Sequence, residues 1–340
     1  VQFGFIIGTL VFALFTIADR FSPSKVFFSS AILGAFFNLG LIFGNQTLFS
    51  LLSLRFFTGF FLAGIYPVGM KIATDYYQKG LGKSLGYLVG ALVLGTALPH
   101  LLGNLFINSS WKSVLITTSF LAVFGGILMI LFVKNGPYLK ESTTLDLSTC
   151  FKIFKNINFR KASFGYFGHM WELYAFWTFI PILLIKYQKL HPETVFNIPI
   201  LSFSIIGIGS FSCVLGGYIS RKMGVKKTAF SFLLLSCVCC MISPFMFQLV
   251  HRNLFITFLL FWGIVVIADS PLFSTLVAQS APSKNKGTAL TIVNCIGFSI
   301  TIISIQIISS LVAFTNSNII FSLLAIGPII GLISLKKGLN

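Results

Sequence analysis

Seven Asp and Glu side chains and four histidines are the acid–base inventory of this 340-residue chain, and several of them sit where water is scarce. Glu172 and His169 stand three residues apart within the apolar segment GYFGHMWELYAFW, a spacing that puts both on neighbouring parts of one helical face. Asp269 lies in a second apolar run two residues before Pro271, Arg55 in a third and His100 towards the end of a fourth. A carboxyl in such surroundings is costly as an anion, so its protonation can follow conformation, and Glu172 becomes a candidate proton carrier. The structural alternative is a carboxyl hydrogen-bonded to a neighbouring helix to fix packing. His169 would tune that carboxyl or satisfy a backbone carbonyl. Asp269 would meet a proton or substrate, or satisfy backbone groups freed by Pro271. Arg55 would hold an anionic substrate, or pair with a distant acid and shape a gate. Trp171, Tyr174, Trp177 and Trp262 offer either an aromatic pocket lining or interfacial anchors.

Other chemistries lack their parts. The sequence contains no HExxH, GxSxG or phosphate-binding loop, and its histidines (100, 169, 191 and 251) are scattered, which argues against metal hydrolysis, acyl transfer and nucleotide-driven work. Cys237, Cys239 and Cys240 fall in an apolar run with no His or carboxylate near them in sequence, so they read as buried small hydrophobes rather than metal ligands. No cofactor is expected. A formal charge of +17 would suggest nucleic acid in a polar protein, but only 9% of residues here are charged, and the cations have another explanation.

With 56% hydrophobic residues and a mean hydropathy of +0.94, the chain belongs in a bilayer. A spanning helix needs about 20 mostly apolar residues, and eleven such runs are present, near residues 1–17, 26–44, 48–70, 84–103, 113–133, 162–184, 196–219, 228–249, 254–278, 288–313 and 319–335. These runs are twice the length of a barrel strand and do not alternate, so an all-α membrane protein is expected. Of 24 Lys and Arg, nineteen fall in one set of alternate connections, while Lys112, Lys186, Lys189 and Arg252 alone occupy the other. Cations stay cytoplasmic, which sets the C-terminus on that side and Val1 outside, in a multi-pass protein of the cell inner membrane. The polar stretch 134–161 divides the runs into an N-terminal bundle, 1–133, and a C-terminal bundle, 162–340.

The two halves repeat. A shift of 202 residues lays Asp19, Arg20, Phe21, Ser22 and Lys25 onto Arg221, Lys222, Met223, Gly224 and Lys227, each set in a short cytoplasmic turn. A similar shift lays Tyr66 and Pro67 onto Ser270 and Pro271. Proline interruptions at matching positions in two halves point to the substrate region of a transporter. The turn ADRFSPSK and its partner GGYISRKMGVKK resemble the G-x-L-a-D-R-x-G-R-R motif of the major facilitator superfamily. Arg55 and Gly59 in LRFFTGFFLAGIYP are similar to that family's R-x-x-x-G pattern, and GYLVGALVLGTALPHLLG to its glycine-rich fifth helix.

That resemblance, to an uncharacterised subgroup, covers nearly the whole chain. It implies two six-helix bundles rocking about a central site, with the eleven runs as the second to twelfth of twelve helices and the first missing from a truncated start. It also implies gating turns at Asp19, Arg20, Arg221, Lys222 and Gly224. The site residues it would join are Glu172, His169, Asp269, Arg55, Tyr66, Tyr174, Trp177 and Trp262, with Pro67 and Pro271 as helix interruptions. The expected function is secondary transport of a small solute by alternating access, coupled to protons, by a monomer whose partners are that solute and membrane lipid, not nucleic acid. Two other classes stay open: a polytopic enzyme acting on lipid-linked substrates, which would need acids or histidines clustered at one membrane face, and a non-transporting sensor, which would need a ligand domain.

Overall fold

The computed structural model describes residues 1–44, 46–77, 80–106, 110–138, 153–281, 286–315 and 317–336, and their side chains except at 18, 19 and 286–288. Every one of the eleven apolar runs is a helix, and no strand occurs among the described residues. In chain order the helices are α1 (Gln2–Leu14), α2 (Pro23–Gly40), α3 (Leu48–Tyr76), α4 (Leu81–Leu105), α5 (Lys112–Phe132), α6 (Ile157–Leu190), α7 (Ile198–Met223), α8 (Val225–Met246), α9 (Arg252–Ser280), α10 (Lys286–Phe314) and α11 (Asn318–Lys336). Among the described residues nine, α3 to α11, are long and apolar enough to cross a membrane. The count falls short of the expected eleven at the first two. With 13 residues, α1 reaches only about 20 Å at the helical rise, and α2 is diluted by Ser24, Lys25, Ser29, Ser30 and Asn38.

Helix starts are set by polar caps rather than by the apolar runs. Asn156 accepts from the backbone N–H of Asn158 and Phe159, Asn197 from that of Ile200, Thr47 from Ser50 and Ser317 from Ile319. Each cap satisfies a donor that the first turn leaves orphaned. This is why α6 begins at Ile157, inside the stretch expected to be a linker; of that stretch, 139–152 lie outside the described residues. A single residue, Gly224, connects α7 to α8 with φ of +86°, a conformation that side chains with a Cβ rarely adopt.

The chain forms two compact units. One comprises Val1–Leu81, Leu105–Ile153 and Ala281–Ser299, the other Gly82–Asn104, Phe154–Ser280 and Ile300–Asn340. They are not coextensive with the stretches 1–133 and 162–340, since 82–104 is compact with the second unit and 281–299 with the first. Within the first unit α1 lies backbone to backbone with α3: a Cβ on Gly59 would stand 1.9 Å from the Val1 carbonyl oxygen. Within the second unit α4 meets α7 through Gly86 and Gly90, whose Cβ positions are 2.8 Å and 2.9 Å from the carbonyls of Cys213 and Ser210. In lipid the close approach of backbones replaces the hydrophobic drive for helix association. The third glycine of that series, Gly95, faces open space.

Candidate functional site

The second unit holds a buried polar cluster on three helices. On α6, Glu172 is 1% exposed. Its carboxylate is met by the Ser236 hydroxyl at both oxygens, the Cys240 thiol at 3.1 Å and the Trp262 indole N–H at 2.7 Å. Ser236 and Cys240 are four residues apart, so one face of α8 presents both donors. Trp262 comes from α9, is fully buried and sets its ring against Phe176 at 4.5 Å. Three helices thus converge on one carboxylate, each supplying either the acid or a donor that satisfies it.

One turn earlier on α6, His169 is 1% exposed, and its Nδ1 lies 2.9 Å from Oδ1 of Asp269, which is fully buried. Apart from this ion-pair contact, His169 Nε2 and both Asp269 carboxylate oxygens have no hydrogen-bond partner among the described residues. Asp269 marks a break in α9: helix Arg252–Ala268 ends there and Ser270–Ser280 starts anew, with Pro271 in its first turn. The Asp269 carbonyl accepts from the backbone N–H of Leu272 and Phe273 at 3.0 Å and 2.9 Å. The Asp269 side chain faces α6, where its Oδ1 meets His169 Nδ1. The matching break in α3 falls at 63–65, directly before Tyr66 and Pro67, again with proline in the new first turn.

The other candidates do not join this cluster. Tyr174 and Trp177 lie on α6 with ring centroids 5.2 Å apart, and the buried Trp177 indole nitrogen has no hydrogen-bond partner among the described residues. Trp171 donates to the Leu323 carbonyl of α11 at 3.2 Å, which makes it a packing contact. In the first unit Arg55 is exposed, and its guanidinium donates to the Asn38 side chain of α2 at 3.3 Å. Arg20 closes the short helical turn Ile17–Arg20 and lines an open cavity with Ser22, Lys25 and Phe61. The side chain of Asp19 lies outside the described residues. Arg221 and Lys222 are exposed in the last turn of α7, next to Gly224. His100 is half-buried on α4.

Two members of the cluster are invisible to motif reading. Ser236 and Cys240 belong to the run that reads as small packing residues, and the five described cysteines are indeed buried and free, but Cys240 also donates to Glu172. The carboxylate missing from its neighbourhood in sequence arrives from another helix. The one signal for it is the four-residue spacing of Ser236 and Cys240 on a helix otherwise apolar at that level. Among the described residues no group of three His, Cys, Asp or Glu is arranged to hold a metal ion.

The whole chain has relatives in fold. A variant of the E. coli fucose:proton symporter, FucP, is similar over 99% of this chain and 88% of its own length, with a TM-score of 0.73 at 12% identity. FucP in the outward conformation, described as a major facilitator superfamily transporter, gives 0.75 at 11% identity with the same coverage. At that identity the likeness is one of fold. No curated protein matches the sequence. The sequence model of the Major Facilitator Superfamily matches residues 1–306, and with the helical membrane fold, the paired turns and the two proline-marked breaks, the chain belongs to the major facilitator superfamily.

Proposed function

We propose that this protein is a secondary transporter that moves a small solute by alternating access and couples the movement to protons through the Glu172, His169 and Asp269 cluster. The observation that carries the reading is the burial of two carboxyls and an imidazole together, at the break of α9, in a chain whose other charged residues, Arg55 apart, lie in connections or towards the ends of helices. Ionisable groups at membrane depth are expensive and are kept where they do work. FucP, which shares the fold, is a fucose:proton symporter, and that supports proton coupling here. Tyr66, Pro67 and Pro271 flank the two helix interruptions, where a solute would meet irregular backbone. Tyr174, Trp177 and Trp262 are the proposed aromatic wall, and Arg55 the first-unit cation. The turns at Asp19, Arg20, Arg221, Lys222 and Gly224 are the proposed cytoplasmic gate in an inner-membrane protein with its C-terminus inside.

The test is flux. The chain is reconstituted into vesicles, a pH gradient is imposed, and a panel of small anions, amino acids, sugars and cationic drugs is offered. At least one solute is expected to accumulate against its gradient and to move protons with it. In the double variant Glu172→Gln, Asp269→Asn, exchange of that solute should survive while pH-driven accumulation is lost. Undiminished uphill accumulation by the double variant would remove the cluster from the coupling path.

A further inference from the structure

We infer that the exchangeable proton belongs to the His169–Asp269 pair, and that Glu172, the more conspicuous acid in the sequence, is a fixed anion that positions α6, α8 and α9 around it. The inference rests on the proton-coupled reading and assigns roles within its cluster.

The two carboxyls have opposite surroundings. Glu172 is met by three side-chain donors, and the indole N–H of Trp262 can only donate. Burial disfavours the charged form of both carboxyls, and donors aimed at a carboxylate oppose that effect, so the difference between the two lies in their donors. A proton on Glu172 would sit on Oε2, the oxygen that Trp262 and Cys240 leave free, and would need Ser236 Oγ as its acceptor. All three donors come from helices of one compact unit, so internal rearrangement of other parts of the chain does not withdraw them. Asp269 has no such shell. Apart from His169 Nδ1, 2.9 Å from Oδ1, no side chain among the described residues donates to its oxygens, and His169 Nε2 is buried without a hydrogen-bond partner among them.

Charge accounting points the same way. With His169 neutral and Asp269 ionised the pair carries one negative charge in a region without Lys or Arg partners among the described residues. Uptake of one proton from water makes the pair neutral as a whole, whether the proton resides on Nδ1 or Oδ1, and the titration is a property of the pair. The other titratable groups facing it are Tyr166, whose ring centroid is 6.2 Å from that of His169, and Glu172 on α6, and Cys213 on α7, while Cys237, Cys239 and Cys240 on α8 face Glu172. None of these is a cation, so none substitutes for the proton. The location gives the proton leverage. Asp269 is the residue at which α9 stops and restarts, so its attachment to His169 ties the break to α6, and protonation changes that tie where the helix is able to bend.

The experiment needs no solute. The purified chain in detergent, without buffer, is titrated between about pH 5 and 9 with an indicator dye that counts protons. Relative to the parent, Asp269→Asn should lose about one proton per chain, because the carboxylate that shares the proton with His169 Nδ1 is gone. Asp269→Glu should keep the proton at a displaced midpoint, which covers the case of a poorly folded asparagine variant. His169→Gln should keep it with a displaced midpoint. Glu172→Gln should keep it as well, with the midpoint moved towards acid because a neighbouring anion that favours proton uptake is gone, a shift that a purely structural role would not cause. Loss of the proton in Glu172→Gln with retention in Asp269→Asn would overturn the assignment, as would identical proton counts in all variants. If the counts fall as expected but vesicles show no solute-driven proton movement, the assignment stands and the coupled-transport reading fails.

Discussion

Ser236 is small enough that replacing it perturbs little beyond one hydroxyl, and that hydroxyl touches both oxygens of Glu172. Ser236→Ala therefore isolates a charge-assisted hydrogen bond in a buried site, expected to lower stability by about 1–3 kcal/mol. Cys240→Ala removes a weaker donor and should cost less. Thermal unfolding in detergent orders the two variants, and a larger loss for Cys240→Ala would mean that the thiol acts through packing. The placement of His169 and Glu172 on one face is readable from spacing alone. The pairing of His169 with Asp269, a hundred residues on, is not, since it depends on which face of α9 turns towards α6. Cys240 and Ser236 are hidden for a related reason: a serine in a cysteine-rich apolar run has the same local pattern whether it packs or donates.

Glycines separate three different demands that helices make on one residue type. At Gly168 a Cβ would lie 2.2 Å from the carbonyl oxygen of Gly327, so Gly168→Ala forces α6 and α11 apart and should be the most damaging of three alanine substitutions, at Gly168, Gly224 and Gly95. At Gly224 the backbone has φ of +86° and ψ of 143° with nothing within 4 Å of the added atom, so alanine carries only the conformational cost of a positive-φ extended backbone, about 1–3 kcal/mol. Gly95 lies inside α4 at an ordinary helical position facing open space, and alanine there should stabilise by about 0.5–1 kcal/mol. Unfolding midpoints that fall for the first two and rise for the third would establish the order; a neutral Gly168→Ala would show that α6 and α11 have room to part. The existence of each helix is legible throughout, because an apolar run of spanning length can satisfy its backbone in lipid only as a helix. Boundaries are less so. The caps Asn156 and Ser317 lie in polar stretches that hydropathy treats as connection, and Asn197 lies inside the apolar run 196–219, whose edge hydropathy sets two residues before the helix begins. The two breaks announce themselves through Pro67 and Pro271, but the break in α9 centres on Asp269, which the proline only brackets.

Which ends of the helices face the cytoplasm is a property of the molecule in its bilayer, and charge bears on it where packing does not. Nineteen cations lie in alternate connections against four in the others, an asymmetry that follows from the cost of moving Lys and Arg across the bilayer during insertion. The orientation it predicts is checked by accessibility. Ser110 and Val195 are exposed residues in connections assigned to the outside, Asn135 and Lys222 exposed residues in those assigned to the inside. The five described native cysteines are buried, so a background with Cys150→Ser is suited to single-cysteine labelling. A membrane-impermeant maleimide applied to intact cells should modify Ser110→Cys and Val195→Cys, whereas Asn135→Cys and Lys222→Cys should react only after the membrane is opened. The reverse pattern would invert the molecule and turn its Lys-rich face outward. A mixed pattern, with Ser110→Cys and Val195→Cys on opposite sides, would mean that the chain does not cross twice between them, as α5 and α6 require, and would expose an error in the spans themselves.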